Sequence, residues 1–125
     1  SLGIVKLLYL LEHILYAKQG DTIILENPET NLHPKVQTRL GFLLSKAAQS
    51  GIKVIIETHS DHILNSIRVA AKKKWIDPEK VKINFLTHTK EGIEVINPVL
   101  SKNGRLDKWP RGFFDEWGDM LDQLL

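Results

Sequence analysis

A chain of 125 residues, 42% of them apolar, with a net charge of +2, is long enough to bury one real core and too apolar to be mostly disordered. Its charges nearly cancel and its basic residues are spread along the chain, so overall electrostatics gives no reason to expect tight nucleic-acid binding and leaves room only for a weak or local basic patch. It has no cysteine, which excludes disulfides and thiolate metal sites and fits a reducing compartment.

The longest apolar stretch, Leu7 to Tyr16, is interrupted by Glu12 and His13 and is too short to span a bilayer. It lacks the basic start and small-residue cleavage site of a signal peptide. A cytoplasmic location without a membrane partner is therefore expected, and the start at Ser1 without methionine suggests a piece of something longer. From Gly3 to Lys18, Ile4, Leu7, Leu8, Leu11, Ile14 and Leu15 follow helical spacing and predict an amphipathic helix, stopped by Gly20-Asp21. Thr22 to Leu25 is a short β-branched and aliphatic run, as in a fully buried strand. Pro34 suits the first turn of a second helix, with Val36, Leu40, Leu43, Leu44 and Ala47 as its buried stripe and Ser50-Gly51 as its end. Lys53 to Glu57 repeats the buried-strand pattern. Ser60 or Asp61 is placed to cap a third helix that buries Ile63, Leu64, Ile67 and Ala71 and ends near Lys74, before the break at Asp77-Pro78.

Val81 to Thr87 and Ile93 to Ile96 then form a predicted hairpin around Lys90-Glu91-Gly92. Leu100 to Gly112 is expected to be loop, and Phe113 to Leu124 a closing helix that packs Phe114, Trp117, Leu121 and Leu124 on one side. The order αβαβα followed by strands gives an α/β layered fold with a mainly parallel sheet.

Two strands joined by a helical crossover bring their carboxyl ends together, and here those ends read Glu26-Asn27-Pro28-Glu29 and Glu57-Thr58-His59-Ser60. A carboxylate at the end of a buried strand needs a cation or a hydrogen-bond donor, because desolvating it costs several kcal/mol. A magnesium ion would satisfy Glu26, a neighbouring acid could orient water, and the His59 imidazole could reach a phosphate. Yet no Gly-x-x-x-x-Gly-Lys-Ser/Thr loop is present to cradle one.

The run Ile23 to Pro34 resembles the Walker B strand and D-loop of ATP-binding-cassette-type ATPases, and Glu57-Thr58-His59-Ser60 resembles their switch-histidine loop. Gly3-Ile4-Val5-Lys6 stands where the signature motif would be. Within that superfamily the chain is most similar to bacterial AAA-type ATPases of the recombination- and overcoming-lysogenisation-related group. Trp109-Pro110-Arg111-Gly112-Phe113-Phe114-Asp115 is similar to an uncharacterised domain that ends one set of them. The resemblance implies a partial P-loop fold with the C-terminal part of an ATPase head at 1–98 and an aromatic-rich extension at 99–125.

It further implies Glu26 as the magnesium-associated acid, Asn27 in the catalytic-glutamate position, His59 as γ-phosphate sensor, and Gly3 and His33 toward the nucleotide of a partner head. Because an amide cannot accept a proton, hydrolysis is expected to be slow, with Glu29 available to supply charge. ATP and Mg2+ are expected only together with an upstream half that brings the phosphate loop. The working form would be a nucleotide-gated homodimer, with DNA or a protein as a further partner in DNA maintenance or phage defence.

Three rival readings stand beside this one. The chain could be a non-enzymatic α/β interaction module that has lost hydrolysis, or a metal-dependent nuclease using Glu26, Glu29 and Glu57. His59 and His62, with Glu57, Asp61 and His33, could be taken for a zinc site, but their spacing is unpersuasive. Arg68, Lys72, Lys73 and Lys74 form a basic run whose ordinary explanation is a solvated helix end complementing the dipole, with a DNA contact as the alternative.

Overall fold

The two β-branched runs pair as predicted. In the computed structural model, which describes residues 2–125, β1 (Thr22–Glu26) and β2 (Lys53–Glu57) are parallel neighbours, with Thr22 opposite Lys53 and Glu26 opposite Glu57. Helix α2 (Pro34–Gln49) joins them, with Pro34 at its first position. Helix α1 (Leu2–Tyr16) precedes them and α3 (Asp61–Lys72) follows. A 3-10 turn at Pro78–Lys80 leads to an antiparallel hairpin of β3 (Phe85–Thr89) and β4 (Gly92–Ile96), and α4 (Glu116–Leu124) ends the chain. The sheet is not continuous: β1 and β2 form one two-stranded sheet, and β3 and β4 another. Among the described residues no helix is long and apolar enough to cross a membrane.

Helices α1 and α2 both contribute to one core. Leu10 and Ile14 of α1 and Leu40, Leu44 and Ala47 of α2 meet Leu25, with Ile23, Val54 and Ile56 against them. The opposite face of the sheet is open, with Ile24 73% and Ile55 46% exposed. This corrects the expectation of fully buried strands. Their burial alternates with period two because the helices cover a single side, and no element within residues 2–125 covers the other.

The predicted stripe of α1 holds at Ile14, which is buried, and at Leu7, which packs against the core, and is corrected elsewhere. Gly3, Leu10 and Ile14 are buried, while Ile4, Leu8 and Leu15 face outward. A helix apolar around most of its circumference satisfies several stripes at once, and the tertiary contact of its first turn decides among them. Gly3 lies so close to the Asn31 carbonyl that a side chain there would collide with it.

The stripe of α2 is as predicted, and the helix is covered on a second side by α3. Its Gly41 sits against Ser66 and the Ile63 carbonyl, and Ser66 itself donates to Ile63 O at 2.7 Å. Ala70, Ala71, Ile76 and Leu100 make a second cluster with Phe42 and Trp75. Ser60 is the N-cap of α3, accepting from the Ile63 N–H at 3.2 Å, and the helix ends at Lys72, two residues before the expected end.

The hairpin forms later than its sequence run begins. Val81 to Asn84 are outside the ladder, and Asn97 holds them by donating to Ile83 O at 2.8 Å. The closing helix starts at Glu116 rather than Phe113, because Phe114 takes a left-handed φ of 51° and turns the chain. The expected packing face of Phe114, Trp117, Leu121 and Leu124 does not form, since α4 has no buried residue. Phe113, 4% exposed, is the aromatic that packs, with Phe85, Trp109 and Phe114 around it at 5.1, 5.2 and 4.9 Å between ring centroids.

Helix propensity alone would reward Gly41→Ala by about 1 kcal/mol. At this crossing the new methyl group meets Ser66 Cβ at 2.9 Å and Ile63 O at 3.1 Å, and overpacking costs roughly 1–3 kcal/mol. Gly41→Ala is therefore expected to lower the urea midpoint. Gly118→Ala, on an α4 position with open space around it, is expected to raise stability by about 0.5–1 kcal/mol.

Candidate functional site

Parallel pairing ends at Glu26 and Glu57, and the chain then continues from both strands at the same edge. The Asn27 N–H extends the ladder by one bond, donating to Glu57 O at 2.8 Å. Asn27 has a φ of 45°, a left-handed conformation that asparagine tolerates better than most residues. Pro28 is fully buried, which anchors the turn from below.

Glu29 then reaches across to the other strand end. One carboxylate oxygen accepts from Thr58 Oγ1 at 2.9 Å, and the other from the His59 N–H at 2.8 Å. Thr58 Oγ1 in turn accepts from the Ser60 N–H at 3.0 Å. The two loops are thereby tied by a single ionisable side chain.

Both flanking helices hold this knot. Lys6 of α1 donates to Asn27 O at 2.9 Å and to Thr30 O at 3.4 Å. Gln37 of α2 accepts from Ser60 Oγ at 2.6 Å and donates to Leu32 O at 2.9 Å. In the sequence Lys6 stood out only within the Gly3-Ile4-Val5-Lys6 run and Gln37 not at all, so neither tie to the loops was foreseen. As the one Lys or Arg in a mostly apolar helix, Lys6 carried a signal; Gln37 had none.

The site residues expected from sequence fall into two groups. Glu26, Asn27, Glu29 and His59 share one edge, with Glu26 and His59 exposed to solvent. Glu26 and Glu57 are register partners on the open face of the sheet. Gly3 and His33 stand around the loop rather than at the strand ends. Gly3 packs on Asn31, and His33 is the N-cap of α2, its Nδ1 accepting from the Lys35 N–H at 3.2 Å.

Among the described residues no group of three His, Asp or Glu side chains forms an all-protein metal cage. Magnesium does not require one, since it is commonly held by one or two carboxylates, substrate phosphates and several waters. The hard oxygens of Glu26 and Glu57 fit that donor type. The chain alone has no phosphate-binding glycine loop.

Acidic, amide and imidazole groups gather at the carboxyl end of the parallel pair, the position at which open α/β sheets bind ligands. Residues 1–65 match the family model described as "AAA domain, putative AbiEii toxin, Type IV TA system". The chain belongs to this AAA-type ATPase family. Residues 76–124 match a second model, a protein of unknown function, DUF3696. No curated protein and no solved structure gives a significant match.

Glu29→Gln keeps one acceptor for the two loop donors but turns an amide N–H toward the other. A loss of roughly 1–2 kcal/mol in unfolding free energy is expected, together with faster hydrogen exchange at the His59 amide. Unchanged exchange there would show that the loops are held by other contacts.

Proposed function

We propose that this chain supplies the Walker B, D-loop and switch-histidine half of a cassette-type ATPase head. The ATP site is then completed by a phosphate-binding loop from the rest of the protein, and two heads close on nucleotide as a dimer. The observation that carries the reading is the β1–β2 register, which brings Glu26, Asn27 and His59 to one edge, combined with membership of the AAA family.

Magnesium, when bound, would be held through Glu26 with Glu57 beside it and would neutralise phosphate charge. His59 is assigned to the terminal phosphate. Its ring is exposed while its backbone is fixed by Glu29, so the imidazole is the part left to meet a ligand. Asn27 is assigned to the attacking water. Its Oδ1 is buried without a hydrogen-bond partner, an acceptor able to orient a water but unable to take its proton.

Glu29 in this reading is a positioning residue, because both its oxygens already accept hydrogen bonds. Slow hydrolysis follows, and the dimer works as a nucleotide-gated clamp. The amide at position 27 also favours the rival reading, an interaction module without turnover.

Steady-state ATP turnover by the full-length protein separates the two. Glu26→Gln and His59→Ala are each expected to lower the rate by roughly 10²-fold or more. Asn27→Asp, which tolerates the same left-handed backbone, is expected to raise it. Unchanged turnover in the first two variants overturns the assignment. ATP binding with no turnover in any variant selects the module.

A further inference from the structure

Helix α3 begins at the site and ends, at Lys72, beside a hollow of about 330 Å3. Its walls include Asn65, Arg68 and Lys72 of α3 and Asn103, Gly104 and Arg105 of the facing turn. Three cations and two amides converge there without a carboxylate. Among the described residues no acid forms an ion pair with any of the three cations.

The turn is built to lie against the helix. Gly104 is buried with a φ of 75°, and a side chain on it would meet the Arg68 carbonyl at 2.5 Å. Ser101 closes the turn, its carbonyl accepting from the Gly104 N–H at 3.0 Å and its hydroxyl from the Arg105 N–H at 3.2 Å. Arg105 is thereby presented toward α3.

Arg68 is fixed in advance of any ligand. Its Nε donates to Gly104 O at 2.8 Å and one terminal nitrogen to Asn65 Oδ1 at 2.9 Å. Two of five guanidinium hydrogens are used in this way, and three remain for a ligand. The guanidinium also lies 5.3 Å from the Trp109 ring centroid, and Trp109 is 42% exposed.

The charge of the surrounding chain is lopsided. Residues 65–75 and 99–112 hold eight of the 17 Lys and Arg residues and one of the 15 acids. That acid, Asp107, is engaged by its own loop, accepting from the Val99 N–H at 2.7 Å. A helix dipole needs one or two cations in the last turn; it does not explain Arg105, Lys102, Lys108 and Arg111 on a separate segment.

We propose that this hollow binds the phosphodiester backbone of a single-stranded nucleic acid, with Trp109 as the stacking face for an adjacent base. The preorganised Arg68 guanidinium, with Lys72 and Arg105 on the same walls, takes the phosphates. An exposed indole beside them distinguishes a strand with unpaired bases from a free anion, since stacking is available to any base. The site is separate from the nucleotide site proposed above and is measured without ATP.

The test is fluorescence anisotropy of a labelled oligothymidylate with the full-length protein across a salt series. Lys72→Gln and Arg105→Gln, both at exposed positions, are each expected to weaken binding about three- to tenfold at low salt and to flatten the salt slope by about 0.7 per lost phosphate contact. Trp109→Leu is expected to weaken binding with the slope unchanged. Lys90→Gln, which removes the same charge at the hairpin tip, is the control and is expected to bind as the parent does.

Equal loss in the control, or no loss at positions 72 and 105, overturns the proposal. Displacement of the oligonucleotide by millimolar inorganic phosphate, or tighter, Arg105-dependent binding to anionic phospholipid vesicles, overturns it in favour of a free anion or a membrane surface. Melting curves matching the parent show that the variants are folded.

Discussion

The carboxylate of Glu29 is the contact on which the arrangement of the two strand ends depends. Parallel pairing brings the chains out of the sheet side by side, but pairing stops at Glu26 and Glu57. Beyond that point a backbone bond from Asn27 and the two bonds to Glu29 keep the loops together. A charged acceptor shared between a hydroxyl and a backbone N–H is stronger than either neutral bond alone. The bond from Thr58 is part-buried and that from the His59 N–H exposed, so the first loses less of its strength to water.

From this tie the other contacts radiate. Lys6 fixes the outer carbonyls of the first loop to α1, and Gln37 fixes Ser60, the cap of α3, to α2. The small sheet therefore carries a larger share of structural information than two strands of five residues suggest. Its uncovered face leaves Glu26 and Glu57 in solvent, where the carboxylates avoid the desolvation cost of a core position.

Helix α3 gives the molecule a second axis. Its 12 residues form a rod of about 18 Å, capped at Ser60 within the strand-end knot and finished at Lys72 beside the basic hollow. Close packing of Gly41 on Ser66 holds that rod against α2.

Much of this was legible in the residues alone. β-branched runs of four or five residues, Pro34 at a helix start, Ser60 at a cap and the Lys90-Glu91 hairpin turn are local preferences, set by φ/ψ and side-chain sterics within a few residues. The motifs at Glu26 to Glu29 and Glu57 to Ser60 were visible for the same reason, as polar groups directly after apolar runs. What local preference cannot supply is which face of an all-round apolar helix turns inward, whether a strand is covered once or twice, and which aromatic of Trp109, Phe113, Phe114 and Trp117 is buried. Those outcomes rest on contacts between segments far apart in the chain: Gly3 on Asn31, Arg68 on Gly104, Glu29 on His59. Sequence determined the elements and the chemistry of their ends, whereas tertiary packing alone decided their partners, because a long-range contact is selected by the whole set of surfaces competing to be buried.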